Sequence, residues 1–279
     1  MLHIFFRLAA SIAFAQDIEP SFISPTPDQQ INKQTVHAIL GAVCEGEVNG
    51  ESCSKCPNSE QAGPWSFSSL ILGHFSSPQS EEALAAVGTC YYWGNANPLG
   101  LLLAKRDGKW TKLEEILAFD PHQCMPRKFR SGREFLICES YEYNRVGERI
   151  YALSTLVVEN GQTRFHNLFL AADTTRACIV EGKSQQAEVK NVEFRDLNGD
   201  GLEDISITAT YGSFQMTERR REQCEAAQND SPQTNGKPSK PYPRPPAVKT
   251  YKIDLLFDGN RFTPTPESRA AVAIFHWDR

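Results

Sequence analysis

The sequence predicts an all-β protein built from stacked antiparallel sheets of four short strands each. Three observations predict this fold. From residue 65 onward, short apolar strands alternate with Gly, Asn, Asp and Pro, the residues that end strands. Asn-Gly or Asp-Gly pairs, which favour type I′ hairpin turns, follow three of these strands, at Asp107-Gly108, Asn160-Gly161 and Asp258-Gly259. Finally, the strands belong to a unit of sequence that recurs three times along the chain.

The recurring unit opens at a phenylalanine, passes through a polar loop into an apolar strand, and closes at one of these turns. From the opening phenylalanine to the turn glycine the distance is 33 residues in the first unit and 32 in the second. In the third it is 65, and the excess falls in a charged run rich in Pro, Asn, Ser and Lys. We therefore predict units at about 65–120, 121–180 and 187–265, with a disordered surface insertion at 218–248 in the third.

Units of this size with four short strands are typical of propeller-like blades. A closed propeller has four to eight blades, so three units leave open whether the sheets close into a ring. We expect the apolar segment Ala271–Trp277 to add one further strand to the β-repeat domain at 65–279.

The N-terminal part of the chain predicts export. Arg7, an apolar run and the small-residue pattern Ala13-Phe14-Ala15 are typical of a signal peptide at 1–15; a buried first helix is the alternative. Residues 16–34 read as a flexible leader, and residues 35–64 as a Cys-rich segment that begins with a short helix at Val36–Val43. No later stretch approaches the roughly 20 apolar residues of a membrane-spanning helix, so we expect a periplasmic or extracellular protein without a membrane span.

Cysteine usage supports the same compartment. An even number of cysteines in an exported chain predicts disulfides. The pair Cys53-x-x-Cys56 also permits half of a zinc site or a redox pair, but no second pair with zinc spacing follows it. The disulfide candidates are Cys44, Cys53, Cys56, Cys90, Cys124, Cys138, Cys178 and Cys224.

One loop of the third unit has the composition of a calcium site. It reads D-x-N-x-D-G-x-x-D, with oxygen side chains at positions 1, 3, 5 and 9 and the glycine of a sharp turn at position 6. The strands predicted on both sides exclude a helix–loop–helix calcium motif and indicate a strand–loop–strand site. An Asp/Asn/Gly turn without a metal is the alternative. The predicted ligands of the Ca²⁺ ion are Asp196, Asn198, Asp200, the main-chain carbonyl of Leu202, and Asp204.

The segment Phe194–Ile207 resembles the calcium-bearing blades of the FG-GAP/VCBS-type repeats known from integrin-like β-propellers, in which an aromatic residue precedes such a loop and an apolar strand follows it. The resemblance implies a β-propeller repeat fold and a structural calcium ion. The first two units depart from the family pattern because they lack the loop, and the Phe-Gly and Gly-Ala-Pro signature residues are missing.

These observations predict an exported, disulfide-stapled calcium-binding β-repeat module that acts as an interaction or structural protein on a protein or polysaccharide partner. The net charge is −5 and the sequence has no basic stripe, so we expect no nucleic acid partner. No G-x-S-x-G, H-E-x-x-H or G-x-G-x-x-G motif occurs, and no catalytic residue is predicted. The alternatives are a secreted carbohydrate-active hydrolase with a structural calcium and a passive envelope protein.

Overall fold

The computed structural model describes residues 21–23, 31–55, 62–91, 98–117, 119, 123–143, 147–178, 182–229 and 241–275. Within these residues the chain is mostly β, with four antiparallel sheets and three helices. The described sheets form no closed barrel or propeller. The predicted signal peptide, the cysteine at position 56 and most of the predicted leader lie outside the described residues.

Three of the four sheets are four-stranded meanders that follow one another along the chain, each with its strands paired in sequence order. Sheet I consists of β4 (Phe67–Gly73), β5 (Glu82–Tyr91), β6 (Pro98–Arg106) and β7 (Lys109–Leu117). Sheet II consists of β8 (Cys124–Lys128), β9 (Glu134–Tyr143), β10 (Arg149–Glu159) and β11 (Gln162–Asp173). Sheet III consists of β12 (Lys183–Arg195), β13 (Asp204–Gln215), β14 (Lys249–Phe257) and β15 (Phe262–Pro264). Sheets I and II fall within the first two predicted units, and sheet III begins at Lys183, four residues before the predicted start of the third.

The N-terminal part contains helix α1 (Lys33–Val43) and a small sheet of β1 (Val48–Asn49), β2 (Ser52–Lys55) and β3 (Ala62–Trp65). The helix begins three residues before the predicted position because the Asn32 side chain accepts the backbone N–H of Thr35 at 2.8 Å. No cysteine lies in the helix itself; Cys44 is its C-terminal cap residue and forms a disulfide with Cys53 in β2.

Two of the three predicted hairpin turns have the expected backbone. Asp107 and Gly108 have φ of 50° and 76°, and Asn160 and Gly161 have φ of 55° and 75°, as a type I′ turn requires at both central residues. The third turn is different. Phe257 pairs with Phe262 across a four-residue connection, and only Gly259 has a positive φ.

The different backbone of the third turn has a local cause. The Asp258 carboxylate accepts the backbone N–H groups of Asn260 and Arg261 at 2.8 and 2.9 Å. This side-chain turn replaces the two-residue hairpin, and it lowers the pKa of Asp258, mainly through the N–H bonds from Arg261 and Asn260. Asn-Gly and Asp-Gly thus end all three apolar strands, but by two different geometries.

The sheets stack face to face through three apolar clusters, since alternate residues of a strand point to opposite faces. Between sheets I and II lie Leu84, Leu102, Leu136 and Leu156. Between sheets II and III lies the largest cluster, which includes Phe135, Leu153, Ile207 and Leu255. The other face of sheet I packs on α1 and on the small N-terminal sheet through Ile39, Leu40, Trp65 and Leu101.

The outward face of sheet III is polar, which explains why the stack ends there. Ser206 donates a hydrogen bond to Asp254 on the neighbouring strand at 2.6 Å, and Lys252 forms an ion pair with the same carboxylate at 3.1 Å. A stack of sheets needs terminal units with a solvated or covered outer face. The covering helix α1 at one end and these polar side chains at the other meet that need without a closed ring.

The predicted disordered insertion at 218–248 is wrong in its first part. Residues Glu218–Asn229 form helix α2. Cys224 and Ala227 on this helix are buried, and Cys224 forms a disulfide with Cys178. Arg221 forms ion pairs with two glutamates of the helix, at spacings i−3 and i+4, which stabilise a helix surface. Residues 230–240 lie outside the described residues, and residues 241–248 run as irregular chain against β13 near Gly212.

The predicted strand at Ala271–Trp277 is also wrong. Its described residues, 271–275, belong to helix α3 (Pro266–Phe275). The helix starts at the N-cap Thr265, whose hydroxyl accepts the Ser268 N–H at 3.2 Å, and has proline at its first position. The buried residues Ala271 and Phe275 are four positions apart and pack into the core between sheets II and III. A run of small and apolar residues fits a strand and a helix equally well, so the capping residues decide.

The predicted flexible leader at 16–34 is corrected at Ser21–Ile23. Ile23 is 1% exposed in the core of sheets II and III. The buried carboxylate of Glu139 accepts the Ser21 hydroxyl and the backbone N–H of Phe22, the latter at 3.2 Å. Burial and this carboxylate raise the pKa of the neighbouring Tyr151. The segment is therefore anchored to sheet II by apolar burial and by charge-assisted hydrogen bonds.

Candidate metal-binding loop

The predicted cation loop connects the first two strands of sheet III. It comprises residues 196–203, and Asp204 is the first residue of β13. The prediction of a strand–loop–strand segment is therefore confirmed. Gly199 and Gly201 have φ of 80° and 82°, a backbone conformation that glycine adopts at no steric cost.

Asp196 organises the loop. Its Oδ1 accepts the backbone N–H groups of Asn198, Gly199 and Asp200 at 3.2, 2.6 and 3.3 Å, and its Oδ2 accepts that of Gly201 at 2.8 Å. The hydrogen bond from Gly201 is the largest cause that holds the pKa of Asp196 below its usual value, followed among the bonds by those from Gly199, Asn198 and Asp200. The carboxylate is exposed to solvent and is held ionised by the backbone that wraps around it.

Asn198 and Asp200 continue the same pattern of side chain to backbone bonds. Asn198 Oδ1 accepts the Asp200 N–H, and Asp200 Oδ1 accepts the Leu202 N–H, both at 2.9 Å. The side-chain amide of Asn198 donates to Asp200 Oδ2 at 3.2 Å. The structure thus brings Asp196, Asn198 and Asp200 together on the exposed side of one tight loop.

Asp204 lies apart from these three side chains because it is fully buried. Its Oδ2 accepts the backbone N–H of Leu197 at 2.8 Å, and its Oδ1 accepts that of Phe257 on β14 at 2.7 Å. Asp204 therefore ties the start of the loop to β14, the strand that pairs with β13 on its other side. A buried carboxylate needs such partners, since an unpaired one is costly.

The donor chemistry of the loop fits a hard cation. Calcium takes oxygen ligands from carboxylates, side-chain amides and main-chain carbonyls, and the loop provides all three kinds. Within the described residues there is no group of three or more His, Cys, Asp or Glu side chains that could hold a metal ion. Among the predicted ligands, Asp196 and Asp200 have exposed carboxylates, while Asp204 is buried. The exposed Glu203 of the same loop pairs with Arg127 at 2.8 Å.

Sequence reasoning missed two counterparts of Asp204. Glu82 and Glu134 are the first residues of the second strands of sheets I and II, as Asp204 is in sheet III. Each of the three acidic residues pairs with the last residue of the preceding strand. Glu82 is 3% exposed and accepts the N–H groups of Phe75 and Ser76. Only the strand register reveals this equivalence, because the loops before the three residues share no sequence.

Three disulfides lie in the described residues: Cys44–Cys53, Cys124–Cys138 and Cys178–Cys224. Because Cys53 pairs with Cys44, the Cys53-x-x-Cys56 spacing forms neither a redox pair nor half of a zinc site. Cys56 lies outside the described residues, as does the side chain of Cys90.

No protein-family model, curated protein or solved structure matches this chain. None of the described helices is both long enough and apolar enough to cross a lipid bilayer.

Proposed function

We propose that this chain is an exported, disulfide-stapled β-repeat protein in which the loop 196–204 binds one structural Ca²⁺ ion. The observation that carries the proposal is the loop between β12 and β13, where an ionised Asp196 is encircled by backbone N–H groups beside the oxygen side chains of Asn198 and Asp200. Loops of this kind present several oxygens to a single point.

Calcium bound here involves Asp196, Asn198 and Asp200 through their side chains and Leu202 through its carbonyl. Asp204 is buried and accepts the N–H groups of Leu197 and Phe257, so it holds the loop in place for the ion instead of binding the ion through an exposed oxygen. The ion offsets the repulsion between the exposed carboxylates. Since the loop joins two strands, the free energy of binding adds to the stability of sheet III.

Export and a role in binding or scaffolding complete the proposal. Disulfides persist in the periplasm and outside the cell and are rare in the cytosol, and three of them staple the described chain. The resemblance of Phe194–Ile207 to FG-GAP/VCBS-type blades and the stack of four-stranded sheets favour an interaction or structural protein. Its partner is a protein or a polysaccharide.

Thermal and urea unfolding of the oxidised protein, with calcium and with a chelator, tests the metal site. At a calcium concentration of 100 times the dissociation constant, we expect a gain of about 2.7 kcal/mol in the free energy of unfolding. Asp200→Ala removes one ligand and should lose this gain. Glu81→Ala removes an exposed acid from the corresponding loop of sheet I and should keep it.

Two results contradict the proposal. A wild-type protein that unfolds identically with calcium and with chelator binds no ion in its native state. A gain that persists in Asp200→Ala at its full size places the ion elsewhere in the molecule.

A further inference from the structure

A cavity of about 450 Å³ opens between sheet II and the β14–β15 hairpin of sheet III. We call it the phenylalanine cleft, after Phe129, Phe135, Phe257 and Phe262, which line it. Its volume lies in the range of sites for small organic ligands, which combine apolar walls with a few polar groups. The cleft is separate from the loop 196–204, none of whose residues line it.

The apolar floor of the cleft is a cluster of four phenylalanine rings. The centroids of Phe129 and Phe135 are 4.4 Å apart, those of Phe135 and Phe257 are 5.5 Å apart, and those of Phe257 and Phe262 are 4.6 Å apart. Phe135 and Phe257 are buried, whereas Phe129 and Phe262 are half-buried. The two outer rings therefore retain aromatic surface on which a flat apolar group can stack.

The rim of the cleft carries two arginines from different sheets. The Arg133 guanidinium lies 4.7 Å from the Phe129 ring centroid and donates one N–H to the Val158 carbonyl at 3.3 Å, which leaves other donors of the planar fork for a ligand. Arg261, on the opposite wall, has a side chain that is 78% exposed, and its Nε lies 3.7 Å from the Asp258 carboxylate.

The acidic groups near the rim offset only part of this positive charge. Asp258 is ionised and pairs with Arg261, and Glu159 is the single carboxylate among the described residues that line the cleft. Arg130 adds a third cation beside the turn, where its backbone N–H binds the Gly259 carbonyl at 2.8 Å. The rim thus favours an anionic group, and arginine forks bind carboxylates in bidentate fashion.

A second cleft of about 450 Å³, between sheets I and II, shows that these features are not a general consequence of stacked sheets. It lies at the corresponding place, between the loop 74–81, the β6–β7 hairpin and the turn at Gly161. None of the described residues that line it is aromatic. Its Lys105 is paired with Glu81 at 2.6 Å, and the Glu82 carboxylate accepts three hydrogen bonds from the loop.

We propose that the phenylalanine cleft binds a small organic anion that has an aromatic ring system and one carboxylate or similar acid group. The ring packs on Phe129 and Phe262, and the acid group lies between Arg133 and Arg261. This assigns the protein a ligand site in addition to the proposed calcium loop.

Three naphthalene compounds test the proposal: 2-naphthoate, neutral 2-naphthalenemethanol and cationic 2-naphthylmethylamine. Titration calorimetry on the full oxidised protein should show saturable one-to-one binding of 2-naphthoate, with at least tenfold weaker binding of the cation. Arg261→Glu should weaken 2-naphthoate binding about tenfold or more, while Arg106→Glu, at the rim of the second cleft, leaves it unchanged. Ser131→Phe, which adds a ring at the cleft wall, should also reduce the affinity.

No saturable binding of 2-naphthoate overturns the proposal. Equal affinities for the anion and the cation overturn the role of the arginines, and an affinity unchanged in both Arg261→Glu and Ser131→Phe overturns the location. Because Arg261 and Ser131 are exposed, we expect both variants to fold, and circular dichroism checks this for each of them.

Discussion

The loops 74–81 and 196–203 occupy the same place in two different sheets. Each has eight residues, joins the first strand of its sheet to the second, and is followed by a buried acidic residue, Glu82 or Asp204. Their backbones differ: the loop 196–203 has positive φ at Gly199 and Gly201, whereas the loop 74–81 has no residue with positive φ.

The comparison separates a structural role that the two loops share, closure by a buried carboxylate, from a feature that only the loop 196–203 has. In both loops the buried carboxylate accepts backbone N–H groups and so closes the loop: Glu82 binds Phe75 and Ser76, and Asp204 binds Leu197 and Phe257. Exposed Asp and Asn side chains at alternate positions, Asp196, Asn198 and Asp200, occur only in the second of these two loops, where the glycines allow the tighter turn. Loop closure is therefore common to the two sheets, and the proposed cation site belongs to only one of them.

The largest effect should follow removal of the buried acids. Asp204→Ala and Glu82→Ala each leave buried N–H groups without an acceptor, and we expect each to lower the free energy of unfolding by about 3 kcal/mol. Urea denaturation with an unchanged m-value measures it. The Glu82 variant should keep any stabilisation by calcium and the Asp204 variant should lose it. Losses below about 1 kcal/mol in both variants contradict the shared role.

A smaller loss in the free energy of unfolding is expected from substitution of Gly201, since the loop 74–81 has no corresponding glycine. Gly201 has φ of 82°, and a Cβ placed on it has no atom within 4 Å. Gly201→Ala should therefore cost only the left-handed conformation, about 1 kcal/mol, measured by urea denaturation. Gly41→Ala in α1, which also meets no atom within 4 Å, is the control and should stabilise the protein by up to about 1 kcal/mol. Equal effects of the same sign at both sites contradict this assignment.

The pH dependence of stability sharpens the comparison further. Hydrogen bonds from the backbone lower the pKa of Asp196 in the folded state. Its contribution to stability is therefore fully present above the unfolded pKa and is lost as the pH falls through the lower folded value. Asp196→Asn should make the urea midpoint less sensitive to acid between neutral pH and pH of about 2. Parallel midpoint curves for the variant and the wild type contradict the prediction.

The smallest effect concerns the exposed side of the loop 74–81. Lys105 and Glu81 form an ion pair at 2.6 Å with side chains that are 36% and 56% exposed. Lys105→Ala should change the free energy of unfolding by no more than about 0.5 kcal/mol at low salt. At 1 M salt the difference should vanish, because exposed charges are screened. A loss above about 1 kcal/mol that persists in high salt indicates that Lys105 contributes by packing.

Much of the fold could be predicted from the sequence because strand breaks and turns are local. Asp107-Gly108 and Asn160-Gly161 adopt the predicted turn because few residues other than Asn, Asp and Gly accept positive φ at low cost. The strand–loop–strand geometry at 196–204 was also predictable. The errors at α2 and α3 arose where distant partners decide: Cys224 is held by Cys178, and Phe275 packs on Phe169 and Tyr211.

The residues of the candidate metal loop were predictable by spacing, but their orientation was not. Side chains at alternate positions of a tight loop lie on the same side of it. The pattern D-x-N-x-D-G therefore predicts that its oxygen-bearing side chains come together. Whether the ninth residue faces the loop or the core depends on the strand that lies beside it. Asp204 is drawn inward by the N–H of Phe257, a residue 53 positions away.

The sequence by itself determined the strand-rich composition, two hairpin turns and the oxygen-rich loop, because each depends on the conformational preferences of a few consecutive residues. Only the tertiary structure decided that Glu82 and Asp204 are counterparts, that sheet III ends the stack with a polar face, and that four phenylalanines from two sheets form one cleft. Those features depend on strand register and on packing between segments far apart in the chain, and neither is written in any short stretch of residues.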